Sequence, residues 1–304
     1  MFHNTRFFSI LLVPAFLTGC SINRIAVNSI GSSLANSSGS VFASDNDPQL
    51  IRDALPFSLK LMETLLAESP ENSDLLLATC SGFTQYAYAF VEQEARELED
   101  DDYRASEEGM QRARKLYIRA RDYGLRGLDV TNPGFQEALR ADPAAAVATT
   151  TKADVPLLYW TASAWGALIS LSIDEPATIA EIGLMESLIY RAYALEPDYD
   201  YGAIHGFLIT YEMSKSGGDP PPEKLAREHF NRAVALTRGQ SASPYLSLAE
   251  AVSVPNQDRA EFEDLLRQAL AIDPDIRMEW RLINTIMQER ARWLLARIDR
   301  IFLD

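Results

Sequence analysis

The sequence predicts an all-α fold: a solenoid of helical hairpins wrapped around one buried central helix. Three observations carry this. Val155–Ile173 (VPLLYWTASAWGALISLSI) holds no charged residue and puts large side chains all round a helical wheel, and a helix apolar on every side is enclosed by protein or by lipid. Three later stretches repeat one another: Tyr190–Asp198 (YRAYALEPD), Asn231–Leu236 (NRAVAL) and Arg267–Asp275 (RQALAIDPD). No run of alternating strand residues occurs anywhere, whereas apolar residues recur at helical spacing throughout.

The chain opens on a targeting signal. Met1–Arg6 is a short n-region with one positive charge, and Phe7–Phe16 is the apolar core of a signal peptide. Leu17-Thr18-Gly19-Cys20 resembles the lipobox of bacterial lipoproteins, in which the Cys20 thiol takes a diacylglycerol before cleavage. The alternative is an ordinary secretory signal with a chance cysteine. Ser21 at the next position points to the outer membrane. The expected plan is a signal peptide over 1–19, a lipidated Ser/Asn/Gly-rich tether over 20–46 and a helical domain over 47–304. A net charge of −15 disfavours nucleic acid and anionic membrane surfaces. Apart from Cys20, Cys80 is the only cysteine, so no internal disulfide is expected.

Asp47-Pro48 reads as an N-cap with Pro at the first helical position. Pro56 is expected to break this helix and start another, with Leu59, Met62, Leu65 and Leu66 on one face up to Pro70. Ser73 should cap a helix over Asp74–Glu99, whose aromatics Phe83, Tyr86, Tyr88 and Phe90 fall on more than one face. The helix then turns acidic from Glu92 to Asp102. The next, Tyr103–Gly127, carries Arg104, Arg112, Arg114, Lys115, Arg119, Arg121 and Arg126, which predicts an antiparallel hairpin with cross-helix ion pairs. Phe135–Asp154 reads as a long connection crossing the surface.

The central run is just long enough to span a bilayer. Pro156 at its start, the small residues Thr161, Ala162, Ser163, Ala164 and Gly166 in its middle, and Asp154 and Asp174 at its ends favour a buried helix. Helices are expected at Pro176–Glu196, Tyr201–Lys215, Pro222–Thr237, Pro244–Val252, Asp258–Ile272 and Arg277–Leu303, separated by Gly and Pro clusters. Asp198 and Asp200 sit where acidic N-caps belong.

The repeated ends, with small residues before Leu195, Leu236 and Ile272 and Pro two residues after the first and the third, look like the second-helix ending of a tetratricopeptide repeat, whose period is about 34 residues. The W-x-x-L-G-x-x-Y half is absent, so the units are degenerate and carry insertions. Longer stretches are more specific: Ser81–Tyr103 (SGFTQYAYAFVEQEARELEDDDY), Asp154–Ser172 (DVPLLYWTASAWGALISLS), Tyr245–Asp275 and Glu279–Asp299 resemble the T-component family of TRAP (tripartite ATP-independent periplasmic) transporters. The resemblance covers about Asp47 to Leu303. It implies a periplasmic, lipid-anchored helical-repeat protein associated with the substrate-binding subunit; with Ser21 after Cys20, the expected place is the inner leaflet of the outer membrane. It also implies a homo-oligomer, with a trimer as the expected form, and a hydrophobic groove or pore in each subunit.

No catalytic motif, P-loop or dinucleotide fingerprint is present, and no cofactor is implied. His205 and His229 lie on separate helices without metal-ligand spacing, so no metal is expected. Two readings remain. In one, the protein binds or passes a small apolar-bodied or amphipathic solute such as an organic acid, in a groove lined by Phe83, Tyr86, Phe90, Trp160 and Trp165 with Gly166 leaving room. In the other, it is a scaffold whose helical repeats only hold a protein partner, and the same aromatics fill a core. In Arg277–Leu303, Trp280, Arg281, Arg290 and Trp293 have the composition of an interface hot spot. A capping helix that closes the last repeat is the alternative.

Overall fold

The computed structural model describes residues 41–302. Every regular element among them is helical. The first helix, α1 (Pro48–Glu68), is capped by Asp47, whose carboxylate accepts from Leu50 N at 3.0 Å. Contrary to expectation, Pro56 lies inside it. The ring costs one backbone hydrogen bond, but Ile51, Leu59, Met62 and Leu66 continue one buried stripe across it, so packing carries the helix through.

Helix α2 (Ser73–Tyr86) is capped by Asn72 and not by Ser73. It runs through a π-helical turn, Ala87–Glu92, into α3 (Gln93–Leu98). Asp102 caps α4 (Tyr103–Thr131). The stretch expected as a surface connection is instead folded into α5 (Phe135–Ala141), α6 (Pro143–Ala148) and a 3-10 turn, Lys152–Asp154. Asp142 before Pro143 supplies the cap that starts α6.

The uncharged run forms α7 (Val155–Ser170), with nine of its residues buried. Among the described residues no helix is long and apolar enough to cross a membrane. Around α7 lie α2, α4 and the later α9 (Ile182–Leu195), which follows the short α8 (Pro176–Ile179). Close approach is achieved with glycines. A Cβ on Gly124 would strike Thr161 Oγ1 of α7 and come within 2.9 Å of the Cys80 sulfur of α2, so three helices meet at that point.

The remaining helices are α10 (Tyr199–Met213), α11 (Pro222–Thr237), α12 (Ser243–Leu248), α13 (Arg259–Ala271), α14 (Arg281–Ala296) and α15 (Ile298–Ile301). A second π-helical turn, Ala249–Ser253, extends α12, and two 3-10 turns precede α14. Sequential neighbours from α10 to α14 pack on one another. The three repeated motifs end helices, at Leu195, Thr237 and Ala271. Buried side chains form two main clusters. One is centred on α2, α4, α7 and α9, the other on α12, the second π turn, α13 and α14; Phe90 packs against both.

The acidic and basic arms pack together, but their charges pair elsewhere. Asp100, Asp101 and Glu97 face Arg300, Arg297 and Arg290 from the C-terminal helices, at 3.1, 3.2 and 3.8 Å. The α4 arginines reach Glu63, Glu175 and Glu181 instead. Helical Cβ directions account for this, because the charged rows of the two arms point away from their shared apolar seam.

Candidate functional site

Two groups of partly exposed aromatic side chains stand out, each beside irregular backbone. The first surrounds the π turn Ala87–Glu92. A π turn shifts the register of the helix by one residue and re-aims the side chains that follow, and such turns are frequent at functional sites. Tyr88 keeps 47% of its surface exposed. Its phenol is nonetheless pushed above its ordinary range, first by the protein packed around it and then by the Glu250 and Glu92 carboxylates. Glu92 is buried and accepts from Tyr117 Oη at 2.6 Å and from Arg96 Nη2 at 2.7 Å. Glu250, from the second π turn, is held by Arg290 Nη2 at 3.0 Å.

The second group joins α7 to the start of α10. Tyr159 packs edge-on against Trp160 with centroids 5.0 Å apart and lies 5.5 Å from the Tyr199 ring. Burial pushes the Tyr159 phenol up to about 12. Next in the chain, Asp200, Tyr201 and Gly202 all have positive φ (44°, 53° and 93°), a full left-handed turn. Gly202 is required there: besides its φ, a Cβ would come within 3.0 Å of Leu236 Cδ1 and 3.3 Å of Ala233 Cα on α11. Asp200 and Tyr201 have no such excuse, and their conformation is strained. Asp198 does not cap α10, as its position suggested. It pairs with Arg232 across the α10–α11 contact.

The six residues expected to line one groove are divided. Phe83, Tyr86 and Trp165 are buried and face α4. Phe83 stacks on Tyr123 at 6.2 Å beneath Arg119, and Arg112 Nη2 donates to Tyr86 Oη at 3.1 Å. The Trp165 indole N–H donates to Glu181 at 2.8 Å and its ring carries Arg121. Phe90 and Trp160 remain partly exposed. At Gly166 a Cβ would lie 2.9 Å from Phe207 Cε2, so the glycine admits a neighbouring ring and leaves no void beside it. Tyr88, Tyr159 and Tyr199 are exposed or partly exposed as well. Tyr88 and Tyr159 belong to the same apolar stretches as the expected residues, but only the π turn and the helix phase separate accessible rings from buried ones.

The four C-terminal candidates make contacts within the chain. Arg290 is 8% exposed, lies over the Trp293 ring and pairs with Glu250; Arg297 lies over the same ring. Arg281 pairs with Asp275 at 2.7 Å, and Trp280 packs on Tyr201 and under Arg277. His205 and His229 meet, Nδ1 to Nδ1, at 2.8 Å, both edge-on to Tyr193. Among the described residues no group of three His, Cys, Asp or Glu side chains converges to hold a metal ion. Cys20 lies outside the described residues.

Two surface clefts are also present. One of about 500 Å³ lies between α1 and α4, lined by Glu63, Lys115, Ile118, Arg119, Asp122, Tyr123 and Arg126. The other, of about 400 Å³, is at the start of α11. Neither is lined by the expected aromatics.

A protein of Treponema pallidum (strain Nichols), described as an uncharacterized protein, is 31% identical over 306 residues, 94% of each chain. The family model of the TRAP transporter T-component matches residues 44–302, which include both aromatic groups, both π turns and the left-handed turn. The chain belongs to the TRAP transporter T-component family, a transport-accessory family.

Proposed function

We propose that this protein is a lipid-anchored periplasmic accessory of a TRAP transport system. It associates with the substrate-binding subunit and binds or passes a small apolar-bodied solute, such as an organic acid, along the accessible aromatic wall. Family membership over residues 44–302 is the observation that carries this reading. Tyr88, Phe90, Tyr159, Trp160 and Tyr199 support the solute step, because partly exposed rings beside irregular backbone suit an amphipathic guest. In this reading the helical hairpins are degenerate tetratricopeptide-like units, the chain assembles as a homo-oligomer, and Cys20 carries the lipid.

A scaffold role is the second reading, and a specific observation favours it: Phe83, Tyr86, Trp165 and Gly166, expected in a groove, are packed against neighbours. The two separate in one experiment. Native mass spectrometry of the purified protein, with solvent extraction of any bound organic acid or lipid, is run on the wild type and on Trp160→Ala. A guest retained by the wild type and lost from a folded variant supports the solute step. No guest, together with unchanged binding of the substrate-binding subunit by the variant, leaves the scaffold. The same spectra read the Cys20 acyl mass.

A further inference from the structure

Exposed apolar side chains gather beside the start of α14. Ile276 and Met278, on the 3-10 turns Pro274–Ile276 and Met278–Trp280, are 51% and 47% exposed. Tyr201, from the left-handed turn, is 47% exposed, and Val41 is 62% exposed. Direct contacts join them. The Tyr201 ring meets Trp280 edge-on at 5.2 Å, and Arg277 lies over both rings, at 4.6 and 3.9 Å. Arg281, next after Trp280, donates from Nη1 to Ser44 O at 3.3 Å, and Ser44 Oγ donates to Val41 O at 3.1 Å. The patch therefore includes the point at which the chain coming from Cys20 enters the fold. The strained backbone at Tyr201 serves it, holding a large ring at the surface against Trp280. The charges nearby leave no spare cation. Arg277 pairs with Glu279 and Arg281 with Asp275, while Asp45, Asp47 and Asp273 add three carboxylates that accept from backbone N–H groups.

Resting on the reading of Cys20 as the lipid carrier, we infer that this patch seats the folded domain on the zwitterionic leaflet that holds the Cys20 acyl chains. Where the chain enters decides the occupant. Twenty residues, 21–40, separate Cys20 from Val41, so this corner stands no more than about 70 Å from its anchor. That confinement makes the second contact intramolecular, at an effective concentration of about millimolar order, and a few apolar side chains then suffice. The chemistry fits a lipid surface. Trp and Tyr have an apolar body and a polar tip, the composition of membrane–water boundaries, and an arginine lying along their rings keeps its charge at headgroup level. Ile276 and Met278 are the tips that enter the acyl boundary. Attraction through apolar area without spare cations selects neutral headgroups, because anionic ones would be repelled by the acids. A second copy of the chain would set the same acids against one another. Lipid and seat together fix the orientation of the domain over the membrane, which a lipid on a linker alone does not.

The experiment places a fluorophore on the lipidated full-length protein, purified from membranes with its acyl mass verified. It is then reconstituted into phosphatidylethanolamine/phosphatidylcholine vesicles with brominated chains, which quench at short range. A lipidated Cys20 has no free thiol and Cys80 is buried, so a thiol-reactive dye reports only the introduced position. The positions are Met278→Cys in the patch and Glu71→Cys as an exposed control beyond the far end of α1, about 30 Å from its start. The expected result is quenching at Met278→Cys roughly threefold or more above the control. Adding Val41→Ser/Ile276→Ser, two exposed changes that leave helical content and melting unaltered, should bring it down toward the control. Replacing part of the lipid by phosphatidylglycerol should weaken it. Equally weak quenching at both positions, with the acyl mass present, overturns the seat and leaves the anchor standing. A missing acyl mass overturns both. Quenching that rises with phosphatidylglycerol overturns the neutral leaflet. Unlabelled Met278→Cys protein that oxidises to a dimer, with the dye unquenched in the labelled sample, overturns the seat in favour of a second copy.

Discussion

Two side-chain meetings make residue-scale predictions. His205 is 4% exposed and shares a hydrogen bond with His229, so one Nδ1 carries the proton and the other accepts it. Burial, then the neighbouring His229, moves His205 from its ordinary 6.5 down to about 4, against the opposing pull of Asp198; Arg232 adds to the fall. His229 is lowered too, by burial, despite Glu212 and Glu228. A depressed folded-state pKa means that the unfolded chain takes up protons first as the pH falls. The pair's contribution is therefore complete above 6.5 and lost between there and about 4, a change of about 3 kcal/mol for His205 if the shift is fully expressed. Urea midpoints should fall between pH 7 and pH 5 in the wild type and far less in His205→Gln, which removes the buried titrating group; equal slopes would refute the assignment. At Gly124, alanine normally gains about 1 kcal/mol in a helix interior. Here the new methyl meets Thr161 Oγ1, itself bonded to Leu157 O, and the Cys80 sulfur. Overpacking should win, leaving Gly124→Ala less stable by about 1–3 kcal/mol in denaturant titration.

At the scale of elements, what was legible in the sequence was what local chemistry decides. Asp47, read as a cap before Pro48, caps α1 at 3.0 Å, and the uncharged run became the buried α7; the same Asp-Pro chemistry at Asp142-Pro143 was passed over inside a supposed connection. Tertiary packing decided the rest. Pro56 was a sound breaker signal that a continuous buried stripe overrode, and the π turns have no composition of their own. The left-handed turn announced itself only through Gly202. The charged arms show the same limit: composition revealed their sign but not their partners, because the partner of the acidic corner lies some two hundred residues away in sequence. That corner makes a graded prediction. Arg300 and Asp100 are both more than half exposed, so Arg300→Ala should cost about 0–1 kcal/mol. Arg290 is buried between Glu250 and Glu97, over Trp293. Arg290→Ala strips the cation from two carboxylates that keep about a third of their side chains exposed and removes its stacking on Trp293, and should cost about 1–3 kcal/mol. Chemical denaturation of both variants tests the ranking, and similar costs would mean that the corner is solvated throughout.

For the whole molecule the question is whether the C-terminal helices are a detachable surface or part of the second core. The second cluster includes Leu294 from α14 and Phe302 beyond α15, both 4% exposed, and Phe302 packs edge-on against the fully buried Phe262 of α13 at 5.0 Å. Deleting Arg290–Asp304 therefore removes two large buried side chains, worth about 1.5–3 kcal/mol each, together with the Arg290 ion pairs. The sum approaches the whole stability of a domain, about 5–15 kcal/mol. Phe90, packed against both clusters, and α10, which places Leu208 in one and Ile209 in the other, should carry the damage toward the first core. The truncated chain is expected to lose protection from hydrogen exchange across α12 and α13, and its melting transition should broaden or move down by more than 10 °C, as a loss of this size implies. An interface helix that merely rests on the fold would give a different result: unchanged exchange in α12 and α13, an unchanged melting temperature, and a change only in mass in solution. That second pattern would return Trp280, Arg281, Arg290 and Trp293 to the role of a partner surface.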